Sequence, residues 1–356
     1  NQAITPYRTF SQFDDRSYLT GDATAPGYIP ITLGNPNLKW ETTLSTNVGF
    51  DLGIFGERVL ATVDAYSSKT SDLLLRRAIS SVHGISSIFE NIGQTQNRGI
   101  ALRLSTVNLE RGGIQWRTEL NLGANRNKIV DLYGDQTDDI ANGWFIGRPI
   151  DVNYGYRFDG IWQQGDNIAA SAQPTAKPGD VRIEDLNGDG KIDPLDRTFI
   201  GSLEPSYAAG LVNTVTLRGL TFSAYLNTVQ GVTRANSLLG TNQVFADVRR
   251  NTLLREYWTP ENRINSYPAN SNTSNPLGVP FYEDASFVRL QDVTLSYDLP
   301  AGLRGRLGAE SLRLYVNGRN LWTRTQWSGL DPEFTASEQR TIPLERLITG
   351  GLNVRF

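Results

Sequence analysis

The feature that most constrains this chain is alternation with a period of two. In LSTNVGFDLGI, Leu44, Thr46, Val48, Phe50, Leu52 and Ile54 fall on one side, and Ser45, Asn47, Gly49 and Asp51 on the other. IQWRTELNLGAN repeats the pattern with Ile114, Trp116, Thr118, Leu120, Leu122 and Ala124 against Gln115, Arg117, Glu119, Asn121 and Asn125. GIALRLST, LTFSAYLN, LRLYVNG and ITGGLNVRF do the same. Successive side chains of an extended strand point to opposite faces, so these are strands with one apolar face. No segment holds a helical period over three turns. The pattern predicts nine strands, at roughly 41–54, 58–70, 94–108, 114–130, 205–218, 219–230, 285–298, 311–324 and 346–356.

The connections between these strands alternate in length. Segments 55–57, 110–113 and 218–219 are tight turns and 300–309 is moderate, whereas 71–93, 131–204, 231–284 and 325–345 are long. In an antiparallel meander that alternation puts every short turn at one end and every long loop at the other, as in outer-membrane barrels. The parity holds only if 131–204 is one excursion, which makes NYGYRFDGIWQ (153–163) a strand within the loop and not part of the wall.

A large soluble all-β protein is the competing reading, because its sheets also carry polar faces such as the one bearing Asp51, Asp64, Arg103, Arg117, Glu119, Arg313, Arg319 and Arg355. Strand length favours the membrane: several strands exceed ten residues, against the usual five or six of globular sheets. The mean hydropathy of −0.35 and the lack of an 18-residue apolar run exclude a transmembrane helix but not a barrel with a wet lumen. Bacterial single-chain barrels generally have even strand counts and must close, because an open edge cannot sit in lipid, and nine is odd. The set therefore reads as the C-terminal part of a larger barrel, in a chain that starts at Asn1.

The chemistry is narrow. His83, in SSVHGISS, is the single histidine and reads as a surface-loop residue; there is no cysteine. That leaves little for zinc sites, thiol catalysis or most nucleophilic triads. Nucleotide-loop and zinc-protease motifs are missing, and acidic pairs such as Asp138-Asp139 are what any acidic loop supplies, so no enzyme is read here. With 34 basic and 37 acidic residues the net charge is −3, which gives no nucleic-acid footprint. The chain also lacks methionine, for which we have no physical account.

One motif stands apart. Residues 185–196, DLNGDGKIDPLD, place Asp185, Asn187, Asp189, Asp193 and Asp196 at positions 1, 3, 5, 9 and 12 of an EF-hand-type calcium loop. Lys191 offers its backbone carbonyl at position 7, and Gly190 sits at the turn. The flanking segments do not read as helix, so the expected role is static: calcium would cross-link a long extracellular loop. The alternative is an acidic turn without metal. Asp196 is shorter than the usual Glu, which weakens bidentate ligation at position 12.

The ordered set of segments resembles the C-terminal half of SusC/RagA-type TonB-dependent outer-membrane transporters. NPNLKWETTLSTNVGFDLGIFGERVLATVDAYSSKTSDLLL (35–75), NIGQTQNRGIALRL (91–104) and PGDVRIEDLNGDGKIDPLDRTFIGSLEPSYAAGL (178–211) carry the resemblance. So do YWTPENR, FYEDASFVRLQDVTLSYDLP, LRLYVNGRNLWTRTQWSGLDPEF and the terminal GGLNVRF. Arg263 departs from the family's usual Pro after YWTPEN, which bears only on a local loop path.

The resemblance implies a barrel of about twenty-two strands with a plug inside and an N-terminal TonB box, neither of them in this chain. It implies uptake of glycan oligosaccharides or peptides, powered through TonB, with a SusD-like lipoprotein as lid. Phe356, after alternating apolar residues, is similar to a barrel-assembly signal. Aromatics in the loops are the candidate substrate or lid contacts: Trp144, Tyr156, Trp162, Trp258 and Trp327, with Phe145, Tyr154 and Tyr257 nearby in sequence. Packing within the loops is the plainer reading of each, and Trp40 and Trp322 suit interface anchors. Arg249, Arg250 and Arg255 are read as a solvated loop face rather than an anion or lipid-headgroup site. The alternative function is a surface-binding or structural barrel component without transport.

Overall fold

The computed structural model describes residues 9–80, 82, 84–85, 87–236, 256–271, 273–306, 308–334 and 344–356. His83 and the arginines at 249, 250 and 255 lie outside the described residues.

Nine antiparallel strands form one sheet. They are β1 (Thr42–Ile54), β2 (Val59–Ser71), β3 (Gln94–Arg111), β4 (Ile114–Asp131), β5 (Tyr207–Leu217), β6 (Leu220–Gln230), β7 (Phe287–Asp298), β8 (Ser311–Thr325) and β9 (Leu347–Arg355). Sheet order follows chain order, a plain meander with β1 and β9 at its edges. The short turns fall between β1 and β2, β3 and β4, and β5 and β6. The moderate connection between β7 and β8 carries a six-residue helix, Ala301–Arg306. All four long connections leave from the other end.

The alternation read from sequence is the alternation of the sheet. Trp116, Val215, Phe222, Leu295 and Val316 pair across five strands in one row. Ile114, Leu217, Leu220, Tyr297, Leu314 and Leu352 form another. Among the described residues nothing covers this face: Phe222 is 43 % exposed, Leu295 46 % and Val316 54 %. A soluble sandwich would bury such rows against a second sheet, whereas a membrane wall turns them to lipid. The opposite face is polar. Thr214 meets Ser223 at 3.3 Å, and Asn317 donates to Thr294 at 2.8 Å and to Asp292 at 2.8 Å.

One bulge interrupts the pattern. Register shifts on both sides of Gln291, so Leu290 pairs with Leu226 while Asp292 pairs with Tyr225. The sequence carries the signature, since the outward apolar positions run Val288, Leu290 and then Val293, Leu295.

The chain divides into two compact units. The first, residues 1–48, 64–100 and 125–151, holds one end of β1 to β4 and two hairpins, Gln12–Thr20 with Ala23–Thr32 and Leu74–Ala78 with Ser87–Asn91. Its segment 132–151 is folded by acidic turns: Asp131 accepts from the backbone N–H groups of Leu132 and Gly134, and Asp138 from that of Ile146. The second unit, residues 49–63, 101–124 and 152–356, holds the rest of the sheet and the larger loop structure. Within that excursion Tyr154–Tyr156 pairs with Arg197–Phe199, and Phe158–Ile161 with Val181–Ile183, each outside the nine-stranded sheet.

Candidate functional site

Two long connections of the second unit share one hydrophobic core. Ile161, Val181 and Ile183 come from the segment between β4 and β5; Trp258, Val279 and Phe281 come from the segment between β6 and β7. Polar contacts fix the seam. Ile161 N–H donates to Asn265 Oδ1 at 2.7 Å, Val181 N–H to the Ser274 carbonyl at 2.7 Å, and Ala269 N–H to the Gly179 carbonyl at 2.8 Å. Asp180 accepts from Lys177 N–H at 2.8 Å. Burial pushes its carboxyl above the usual range, opposed by that backbone bond and the Lys177 charge.

The calcium-like loop sits on this structure. Asp185 accepts from Gly188 N–H at 2.8 Å and Gly190 N–H at 2.9 Å; both glycines have positive φ. Asn187 accepts from Asp189 N–H, and Asp189 from Lys191 N–H. Asp196 is fully buried, and its two oxygens accept from Leu186 N–H at 3.0 Å and Asp193 N–H at 2.8 Å, which clasps the ends of the loop. Asp193 caps the short turn Pro194–Asp196. The donors are hard oxygens in the order a calcium ion uses, and each carboxylate oxygen that takes one N–H keeps a second lone pair. Among the described residues no three His, Cys, Asp or Glu side chains converge as a metal-holding group. Asp196, committed to backbone at both oxygens, acts here as a clasp.

The aromatic candidates separate into two sets. Trp162, Trp258 and Trp327 are buried. Trp258 is in the shared core, and Trp162 beside it donates to Gln173 Oε1 at 3.3 Å. Trp327 packs on Val232 and Ala285. Tyr156 and Trp144 are half-buried. The Arg197 guanidinium lies 5.2 Å from the centre of the Tyr156 ring, and Trp144 is held through backbone bonds to Asp139. Nearby, Tyr133 donates to the Asp139 carboxylate. Burial, and then that carboxylate, push the Tyr133 phenol up to about 12.

Sequence reasoning did not single out Arg289. It is buried on the polar face of β7, donates to Asp331 at 2.8 Å and is also paired with Glu333. Arg234 donates to the carbonyls of Pro332 at 3.0 Å and Phe334 at 3.2 Å, so two arginines hold the connection after β8. Beside this network is a cavity of about 630 Å³ on the polar face. The paired row Val212, Tyr225, Asp292 and Arg319 lines it, with Gln291 of the bulge. Gln291 Oε1 is buried without a protein donor. Its only sequence signal is the slip in alternation.

The family model described as "TonB dependent receptor-like, beta-barrel" matches residues 5–321. TonB-dependent receptor P3 of Formosa agariphila is 30 % identical over the whole of this chain, and receptor P26 of the same organism is 32 % identical. TonB-dependent receptor SusC of Bacteroides thetaiotaomicron is 26 % identical over 90 % of the chain. The chain spans 38 %, 39 % and 32 % of these three relatives. In fold it is similar to the RagAB peptide importer in its open-open state, with a TM-score of 0.74 at 23 % identity over 99 % of this chain and 38 % of that one. The closed-closed state gives 0.72. The open meander, its uncovered apolar face and these matches agree: the chain belongs to the TonB-dependent receptor-like β-barrel family and forms nine strands of an outer-membrane barrel wall.

Proposed function

We propose that the receptor containing this chain imports a large polar nutrient, an oligosaccharide or a peptide, in a TonB-dependent cycle, with a SusD-like lipoprotein closing its outer mouth. The carrying observation is the long-connection end of the sheet. There, two excursions share a folded core, and the polar wall offers a cavity with both charges, Arg319 and Asp292, and the free acceptor Gln291 Oε1. Such a mixture suits a ligand rich in N–H and carbonyl groups, and the RagAB proteins of similar fold are peptide importers. That favours peptide over glycan. Tyr156 and Trp144 are the aromatic contacts this reading retains for substrate or lid.

We also propose that calcium binds the 185–196 loop on the extracellular side and stiffens it. The ordered oxygen donors and their remaining lone pairs support this. Asp185, Asn187, Asp189, Asp193, Asp196 and the Lys191 carbonyl would hold the ion, Asp185 and Asp196 through the lone pairs that their backbone bonds leave.

The test is uptake of labelled oligopeptides and oligosaccharides by cells carrying the full-length receptor, with and without TonB. Peptide uptake lost without TonB is expected. Surface binding that is unchanged without TonB, with no internal label, would support a binding component instead.

A further inference from the structure

We propose that the lipid-facing side of the first unit carries a site for a phosphorylated glycolipid of the outer leaflet. The inference uses the family's outer-membrane placement and the sidedness of β2, β3 and β4. Tyr66 of β2 reaches over Gly99 of β3 to donate to Asn125 Oδ1 of β4 at 2.8 Å. A Cβ on Gly99 would collide with the Tyr66 ring, 2.7 Å from Cε1, which is why the position is glycine. Tyr66, Gly99 and Asn125 thus share one row on the polar face. Ser45 and Ser68, bonded through their hydroxyls at 2.5 Å, confirm that face for the neighbouring pair of strands.

The side chains beside that row in sequence point the other way, to the face that carries Leu44, Val48 and Ile100. They are Ser67, Arg98 and Arg126. One step further toward the long connections come Lys69, Gln96 and Lys128, and the Gln96 carboxamide meets the Ser67 hydroxyl at 3.5 Å. Four cations, Lys69, Arg98, Arg126 and Lys128, therefore stand on adjacent strands, all exposed. Neighbouring strands are about 4.8 Å apart, close enough for several side chains to reach one ligand.

Two contrasts argue for an anionic partner. In this unit the outward positions of β1 to β4 hold these four cations and no acid, whereas the inward positions hold Asp64 and Asp131 and no cation. A rim charge needing only water would sit as well on the wet face; a cation on the lipid face is tolerated only near the interface, where headgroups meet it. The cluster also lies only at the end of the long connections, the outer-leaflet end by the rule of bacterial barrels. The Gln96 carboxamide, which accepts from the Arg98 guanidinium, is neutral and does not cancel its charge. Arginine forks beside lysine ammoniums match phosphate oxygens, while Ile100 and Val48 below offer an apolar bed for acyl chains.

The experiment is native mass spectrometry of the full-length receptor, purified from outer membranes in neutral detergent, with bis-phosphorylated lipid A or the same lipid stripped of phosphate. Heat-modifiable gel mobility and outer-membrane fractionation establish a folded, correctly placed barrel, separately from lipid binding. We expect a retained lipid A adduct that falls at least ~10-fold for the stripped lipid and for the variant Lys69→Gln/Arg98→Gln/Arg126→Gln/Lys128→Gln. Should that variant fail to fold, Arg98→Gln/Arg126→Gln gives the same reading with a smaller fall. Equal adducts for wild type and a folded variant, or equal retention of both lipids, would overturn the proposal.

Discussion

Trp258 Nε1 donates to Gln163 Oε1 at 2.8 Å across 95 residues of chain, and this bond ties two long connections into one body. The indole is 6 % exposed, within the Ile161, Val181 and Phe281 core. Trp258→Ala should cost that body about 3–5 kcal/mol through lost burial and an unfilled cavity. Hydrogen exchange would then speed up in 158–183 and 258–281 while β5 to β9 stay protected. Uniform exchange across loops and wall would count against a separately stabilised loop core.

Arg289→Met keeps the volume and removes the charge. Asp331, nearly buried, is left without its cation, a loss of about 3–5 kcal/mol for a broken buried pair. We expect protease cleavage after β8 to increase without a change in heat-modifiable barrel mobility. Unchanged cleavage would show that Arg234 alone holds this segment.

The Tyr133 phenol supplies a pH dependence. Its folded pKa of about 12 lies above the ordinary 10, so the stabilisation is complete below pH 10 and is lost as pH rises through 12. Burial and the Asp139 carboxylate are the leading causes, so Asp139→Asn should lower the titration midpoint without bringing it fully back to 10. The 295 nm absorbance difference between wild type and Tyr133→Phe measures it. A Tyr133 difference titrating at 10 in wild type would contradict the Tyr133–Asp139 pair.

Calcium removal addresses the acidic loop. Static extracellular sites bind with Kd of about 10⁻⁴–10⁻³ M. We expect calorimetry to find one site in that range, and Asp185→Asn/Asp189→Asn to abolish it. Chelator should raise hydrogen exchange in 184–197 in wild type alone. An Asx-turn loop without metal would show neither.

The wall was legible in sequence because each strand carries its own instruction: Leu44 to Ile54 alternate whether or not neighbours are known. The predicted strands match the observed ones to within two or three residues, and the segment at 153–163 does lie outside the wall. The loops were less legible. Trp258 and Gln163 meet only after both excursions fold, and no local period marks a contact over 95 residues. Arg289 reads from sequence as one more polar-face residue, since its partners Asp331 and Glu333 are recruited from another connection. The hairpin Gln12–Thr20 with Ala23–Thr32 was missed because Pro26, Gly27 and Pro30 mask its alternation.

The chain has no cysteine, so single cysteines placed in it can report the sidedness of the wall with no label from the rest of the chain. The most direct measurement is labelling of intact cells with a membrane-impermeant maleimide, using full-length receptor carrying Leu186→Cys in the long connection or Arg218→Cys in a short turn. The account predicts rapid labelling at 186 and labelling at 218 only after the outer membrane is permeabilised. Labelling of both positions in intact cells, or of 218 alone, would contradict a wall whose long connections face outward.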